Sequence, residues 1–424
     1  MSKSTFSGAD RQREIYLKGF AGIRSQVPID WFKLEEKAKK MMSEEAFAYI
    51  AGGAGLESTV LSNRSSFEKY RIVPRMLKNV SERDTTIELF GHKLSSPLML
   101  SPVGVLEMVN EHADVGVGRA AAAENVPYIL SNQASRPMEE VAAAMGNGHR
   151  WFQLYWSKSN DLVASLVERA EKCGCSAIAV TLDTTLLGWR TRDLDLAYLP
   201  FLEGKGIAQY TSDPVFQRLM DEPDTASAPS QKVTLDSISG LIKMVNNYPG
   251  NGFIKKLKSG RPVKAVRKFT ALYSNPALTW SDLAFLRKHT KLPILLKGIL
   301  HPDDARMAID HGVDGMIVSN HGGRQVDGSI STFEALPNIV DVVKGRVPIL
   351  MDSGIRGGAD IFKAIALGAT AVCIGRPYVY GLTIGGEEGV RDVIRNLLAD
   401  FNLTMGLAGC KSISEINQET LVRS

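Results

Sequence analysis

The chain has 424 residues, of which 44% are hydrophobic and 23% charged, and its formal net charge is +4. That is an ordinary globular composition, with room for one large domain or two modest ones and too little charge to argue for a nucleic-acid partner. No apolar run reaches the roughly 18 residues a membrane-spanning helix requires.

The first residues, MSKSTFSGADRQREIY, lack the apolar core of a secretory signal, and the terminal LVRS is not an SKL-type address. Four cysteines (Cys173, Cys175, Cys373 and Cys410) make no disulfide framework. Reduced thiols and a cytoplasmic location are therefore expected. The Cys173-Gly-Cys175 spacing lacks a second ligand pair, so no metal site is expected.

Residues 1–96 read as helical lead-in elements. WFKLEEKAKKMMSEEAFAYIAGG (31–53) reads as a helical stretch ending in a glycine turn. From residue 97 onward, short apolar runs alternate with helical segments. The runs are PLMLSPVG (97–104), YILSNQ (128–133), RWFQLY (150–155) and AIAVTLD (177–183). PILLKGI (293–299), GMIVSNH (315–321), PILMDSGI (348–355) and AVCIGRP (371–377) follow. Between them lie stretches such as VGVGRAAAAEN, NDLVASLVERAEKCG, PDDARMAIDHG and GADIFKAIALG, each long enough for a crossover helix.

Strands alternating with helices imply a parallel sheet, and continuous apolar runs imply strands covered on both faces. Eight such units fit an α/β fold closed into an eight-stranded β/α (TIM) barrel over residues 97–424. The rival is a doubly wound open sheet, but no glycine-rich dinucleotide turn follows the first strand. A long insertion after the fourth strand, about 190–280, reads as a lid. It includes the polar segment DEPDTASAPSQK (221–232), expected to be mobile, and the basic run KKLKSGRPVKAVRK (255–268). The basic run reads as a solvated lid helix, the rival being a contact for an acidic partner or membrane surface.

Polar residues collect at the C-terminal ends of the eight strands, where barrel active sites lie. They are Gly104, Ser131, Gln153, Tyr155, Thr181, Asp183, Lys297, Ser319, His321, Asp352, Gly375 and Arg376. DSGIRGGAD and IGRPYVYG, the seventh and eighth loops, combine glycines, an Arg and a helix start, which suits a phosphate. Asp352 is placed to accept hydrogen bonds from a polyol. Lys297 faces the barrel interior, where it could form a Schiff base or stabilise negative charge. Asp183 and His321 could pair across the mouth as orienter and base.

SNHGGRQ, with FQLYW, TLDTTLLGWRTRD, LLKGI, MDSGIRGGAD and IGRP, resembles the FMN-dependent L-2-hydroxy acid oxidases and dehydrogenases. The resemblance runs from about Ile15 to Glu415, with the motifs in the family's order. It implies an FMN cofactor. Gly354, Arg356, Gly375 and Arg376 would hold the phosphate, and Asp352 the ribityl chain. Ser131, Gln153 and Thr181 would meet the isoalloxazine edge, with Pro102, Val103, Gly104 and Ser319 as further cofactor contacts. Lys297 would stabilise the anionic reduced flavin, which displaces the Schiff-base idea.

On the same resemblance, Arg324 would bind the substrate carboxylate and Tyr49 would share it, Arg190 would be a second arginine at the site, and Tyr155 would lie near the substrate hydroxyl. His321 would be the base, oriented by Asp183, whether it takes the α-proton or the hydroxyl proton. Within the family, GWRTRDLDLAYLPFL and YTSDPVFQ resemble the lactate 2-monooxygenase subgroup, as do EIYLKGFAGI and VPRML. Gly104 stands where many oxidases of the family carry Ala. This subgroup implies L-lactate and O2 going to acetate, CO2 and water. An oxidase releasing pyruvate and H2O2 and a membrane-associated dehydrogenase are the alternatives. The lid insertion is longer than the family pattern, and Glu107 and Met108 stand near the pocket. A homo-oligomer, tetramer or octamer, is implied by resemblance alone.

Overall fold

The computed structural model describes residues 7–223 and 234–424. Eight parallel strands close into a barrel: β1 Leu98–Leu100, β2 Tyr128–Leu130, β3 Arg150–Tyr155, β4 Ile178–Thr181, β5 Ile294–Ile299, β6 Gly315–Val318, β7 Ile349–Met351 and β8 Ala371–Ile374. Each of the eight predicted runs contributes one strand, paired with its sequence neighbours, and β8 closes onto β1 through Val372↔Leu98.

Side chains alternate across the barrel wall, as the two-residue strand period requires. Met99, Ile129, Trp151, Ala179, Leu295, Ile317, Leu350 and Cys373 form one buried cluster inside the barrel. Leu98, Leu100, Leu130 and Val180 belong to the larger cluster that includes the surrounding helices. The crossover helices begin at side-chain caps where the sequence offers them. Ser159 accepts from Leu162 N ahead of Asn160–Lys172, and Ser331 accepts from Glu334 N ahead of Thr332–Val343.

The segment before the barrel is not only helical. A hairpin, Ile87–Leu89 with His92–Leu94, turns at Phe90 and Gly91, both at positive φ. Its Leu89 and Leu94 join the barrel-interior cluster, so the hairpin plugs the barrel at the end opposite the site. Tyr70–Ile72 pairs antiparallel with Leu421–Arg423, joining the segment before the barrel to the residues that follow it. Strands of three residues are too short to show a period of two above noise, which is why helices alone were expected. The stretch 31–53 forms two helices, Trp31–Met41 and Glu44–Ala51. Ser43 interrupts them because its side chain caps the second by accepting from Ala46 N.

The described residues of the insertion after β4 form a series of helices. Its basic run splits at Gly260 into Phe253–Ser259 and Arg261–Leu272. The second of these buries Pro262, Ala265, Val266 and Phe269, while Lys255, Lys258, Lys264 and Arg267 face solvent. Phe269 packs against Phe201, Tyr210 and Tyr273, giving the insertion a small aromatic core. Residues 224–232 of the polar segment expected to be mobile lie outside the described residues. Among the described residues, no helix is long and apolar enough to cross a membrane, and all four cysteines are free thiols.

Because Leu89 is 3% exposed inside the barrel end, Leu89→Ala should cost about 2–5 kcal/mol through lost burial and a residual cavity. Denaturant unfolding checks this, and a change below about 1 kcal/mol would mean that the plug carries little of the barrel's stability.

Candidate active site

The C-terminal ends of the strands surround a cavity whose empty space, with its solvent-open mouth, is about 1080 Å³. The barrel supplies Pro102, Val103, Gly104, Gln153, Tyr155, Thr181, Lys297, His321, Arg324, Asp352, Gly354, Arg356, Gly375 and Arg376 to its wall. Tyr49 reaches it from the helix Glu44–Ala51, and the insertion adds Arg190, Phe201 and Tyr273. The strand-end rule therefore brings together most of the residues it selected.

At the centre is a chain of charges. Lys297 Nζ lies 3.0 Å from Asp352 Oδ2 and 3.9 Å from Asp183 Oδ2, and donates to Ser319 Oγ at 2.7 Å. Burial works against the ammonium, but the two carboxylates outweigh it and hold Lys297 above its ordinary range. Asp183 Oδ1 sits 2.7 Å from His321 Nδ1 and accepts from Thr184 Oγ1 at 2.8 Å. Burial opposes its ionisation, yet His321 and Lys297 prevail and bring Asp183 down to about 2. Burial lowers His321 below the ordinary imidazole value, with Asp183 pushing back. In the neutral ring the Nδ1 proton is held by the carboxylate, which leaves Nε2 as an acceptor. The backbone of His321 is left-handed, at φ +57, a conformation that a non-glycine residue keeps only when its surroundings hold it.

Beside this pair is a cationic corner. Arg324 donates through Nη1 to Tyr49 O and to Gly52 O, the latter at 3.0 Å, and its guanidinium lies 4.9 Å over the Tyr49 ring. Arg190 donates to Arg324 O at 3.2 Å and to Gln325 Oε1 at 2.9 Å. Burial, and then Arg190, pushes Arg324 down to about 9. A guanidinium still stays protonated at neutral pH, so this corner calls for an anion. His321 and Tyr155 line the same cavity as this corner.

The wall formed by Gly354, Arg356 and Gly375 suits a phosphate, and it adjoins the cationic corner through Arg376, which donates to Ile50 O, Gly322 O and the same Gly52 O that Arg324 uses. Burial, and then Arg376, lowers Arg356 to about 10, and among the described residues neither Arg has a carboxylate within ion-pair distance. Arg356 Nε is buried without a partner. Arg376 opens the helix Arg376–Leu407 directly after Gly375, so the positive end of that helix dipole adds to the potential there. Gly354 has φ +89, and a Cβ there would stand 2.1 Å from Asn63 O, so only glycine fits this turn.

Elsewhere on the cavity wall, Gln153 Nε2 and Thr181 Oγ1 are buried with no partner. Gln153 Oε1 already accepts from Asn132 N at 3.0 Å, which leaves the amide hydrogens to face the cavity. Orphaned donors of this kind need a polar ligand edge. A phosphate-tailed heteroaromatic ring with carbonyl and ring-nitrogen acceptors fits this set, as FMN would.

Three predicted residues stand one layer back from the cavity wall. Ser131 donates to Gln153 Oε1 at 3.4 Å and accepts from Gln133 N. Asp183 backs His321. Ser319 accepts from both Lys297 Nζ and His321 N. The strand-end rule finds such positions but cannot separate the wall from the layer behind it. It missed Thr184, which braces Asp183. It also missed Gln325, whose Nε2 donates to Asp183 O at 2.7 Å and to Leu186 O at 2.8 Å. Gln325 lies inside SNHGGRQ, so its motif was the available signal.

The FMN-dependent dehydrogenase family model matches residues 38–423. The chain belongs to that family. It is similar to the FMN-dependent alpha-hydroxy acid dehydrogenase qulF of Penicillium citrinum, with 42% identity over 92% of this chain and 89% of the relative. It is equally similar to the L-lactate oxidase of Lysinibacillus sphaericus, at 42% identity over 94% and 93% of the two chains. Among solved structures, mandelate oxidase with (S)-4-hydroxymandelic acid superposes with a TM-score of 0.76 at 34% identity, covering 93% of this chain and 98% of the other. The protein is an FMN-dependent 2-hydroxy acid oxidoreductase with an FMN cofactor.

Arg356→Ala should weaken FMN retention about 10–100-fold, the range expected for losing charge-assisted hydrogen bonds. Flavin fluorescence during dialysis checks this, and undiminished retention would remove Arg356 from the phosphate site.

Proposed function

We propose that this enzyme oxidises a small L-2-hydroxy acid, with L-lactate as the best-fitting substrate, and decarboxylates the product oxidatively to acetate, CO2 and water with O2. The observation that carries the reading is the Asp183–His321 pair facing the Arg324–Tyr49 corner in one cavity.

In this account Gly354, Arg356, Gly375 and Arg376 hold the FMN phosphate, and Asp352 meets the ribityl hydroxyls. Gln153 and Thr181 hydrogen-bond the ring edge, Ser131 fixes Gln153, and Pro102, Val103 and Gly104 line the cofactor. Ser319 acts from behind, through Lys297. Bound FMN supplies the two-electron acceptor. Arg324 and Arg190 bind the substrate carboxylate, with Tyr49 beside them, and Tyr155 orients the hydroxyl. His321 Nε2 receives one proton, from Cα in one route or from the hydroxyl in the other. Asp183 stabilises the imidazolium that results. Lys297 places its positive charge where negative charge accumulates.

Retention of the 2-oxo acid is what separates decarboxylation from simple release, and the rate of opening governs it. One feature favours retention: the insertion roofs the cavity with Arg190, Phe201 and Tyr273. A second reading, release of pyruvate with H2O2, is favoured by two relatives named L-lactate oxidase, at 42% and 37% identity.

The decisive experiment incubates the FMN-loaded protein with L-lactate in air and measures acetate, pyruvate and peroxide together. Acetate without peroxide is expected; pyruvate with an equal amount of peroxide would establish the second reading instead.

A further inference from the structure

The loop that carries Gly104 is strained. Val105, β-branched and fully buried, sits at φ 58, ψ 37, a region that such residues avoid unless something holds them there. Part of the restraint comes from the neighbouring barrel loop, through Val105 N to Gln133 O at 2.9 Å. The rest comes from the insertion. Gly206, itself at φ +68, approaches so closely that a Cβ would lie 2.6 Å from Val105 Cγ2 and 3.1 Å from Gln133 O. The same Gly206 donates its N–H to Glu107 Oε1 at 2.9 Å.

Glu107 belongs to the strained loop, and its own N–H donates to Ser135 Oγ at 3.0 Å. Burial raises its pKa above the ordinary carboxyl value. Neither proton transfer nor ligand binding in the account above uses this carboxyl. Its neighbour Lys205 is 2.9 Å from Glu203 rather than ion-paired with Glu107. One half-buried acceptor thus ties the insertion to the loop bearing Gly104.

We propose that Glu107 is a positioning residue: by accepting the Gly206 N–H it clamps the insertion onto the Val105 turn, keeping Gly104 in place and the cavity covered. The link to product retention rests on the reading given under Proposed function. The clamp itself does not. Ala208 and Gln209 stay bonded to Ala134 O, Met138 N and Arg136 O, so losing the acceptor loosens the turn at Gly206 from the Val105 loop and lets a bound 2-oxo acid leave sooner.

The test uses FMN-loaded wild type, Glu107→Ala and Glu107→Gln, with flavin content confirming that each variant is folded. Amide hydrogen exchange at Gly206 and pyruvate dissociation from the anaerobically reduced enzyme are both measured. Glu107→Ala should accelerate each at least tenfold. Glu107→Gln, which keeps an acceptor oxygen, should stay near wild type. Gly206→Ala, which forces a collision with Val105 while leaving Glu107 intact, should repeat the Glu107→Ala result and stands in if that variant does not load flavin. Unchanged exchange in Glu107→Ala, equal effects of Ala and Gln, or faster exchange without faster pyruvate release would each overturn the proposal. Wild-type enzyme that yields pyruvate and peroxide would sink the decarboxylation reading while leaving the exchange result to judge the clamp.

Discussion

A buried ammonium is the constraint around which the barrel mouth is organised. An uncompensated charge at that depth would cost several kcal/mol, so Lys297 is tolerable only because partners converge on it. Asp352 arrives from the end of β7, Asp183 from the end of β4 and the Ser319 hydroxyl from the end of β6. Satisfying Lys297 thereby fixes the relative positions of three strand ends. The same arrangement leaves Asp183 ionised beside His321, and so determines which imidazole nitrogen faces the cavity. Electrostatic compensation and preparation of the base are one structural event.

Much of this was legible in the sequence, for physical reasons that can be named. Parallel strands buried on both faces must be continuously apolar, so AIAVTLD and PILLKGI announce themselves, and each ends where its first polar residue emerges. Asp183, Lys297 and His321 were found that way. Depth was not legible, because a strand end projects residues both towards the cavity and behind it. Ser131 and Ser319 therefore read like Gln153 and Lys297, although the structure sets them one layer back. Thr184 braces the adjacent Asp183, and Gln325 bonds to Asp183 O and Leu186 O from more than a hundred residues away; their motifs contain them, but local pattern does not show those contacts. The plugging hairpin was missed because three-residue strands show too little alternation, while the turn at Phe90-Gly91 carries only one glycine as a cue.

Barrel and insertion build the cavity together. In the proposed account the barrel supplies charge, proton acceptor and phosphate site and the insertion the roof, whose Phe201 and Tyr273 line the cavity and pack on Phe269 behind them. The insertion's contact with the barrel rim is also where the backbone is strained, at Val105, and where a glycine allows a close approach, at Gly206. Product fate would then depend on a region remote in sequence from the proton-transfer pair. This separates the oxidation, which the barrel performs, from what happens to the 2-oxo acid afterwards.

The most direct test of the central claim, that the Asp183–His321 pair supplies the base, is anaerobic stopped-flow reduction of the FMN-loaded Asp183→Asn variant by L-lactate. The amide cannot stabilise an imidazolium as the carboxylate does, so the account predicts flavin reduction slowed about 10²–10⁴-fold with FMN still bound. Reduction at the wild-type rate would contradict it.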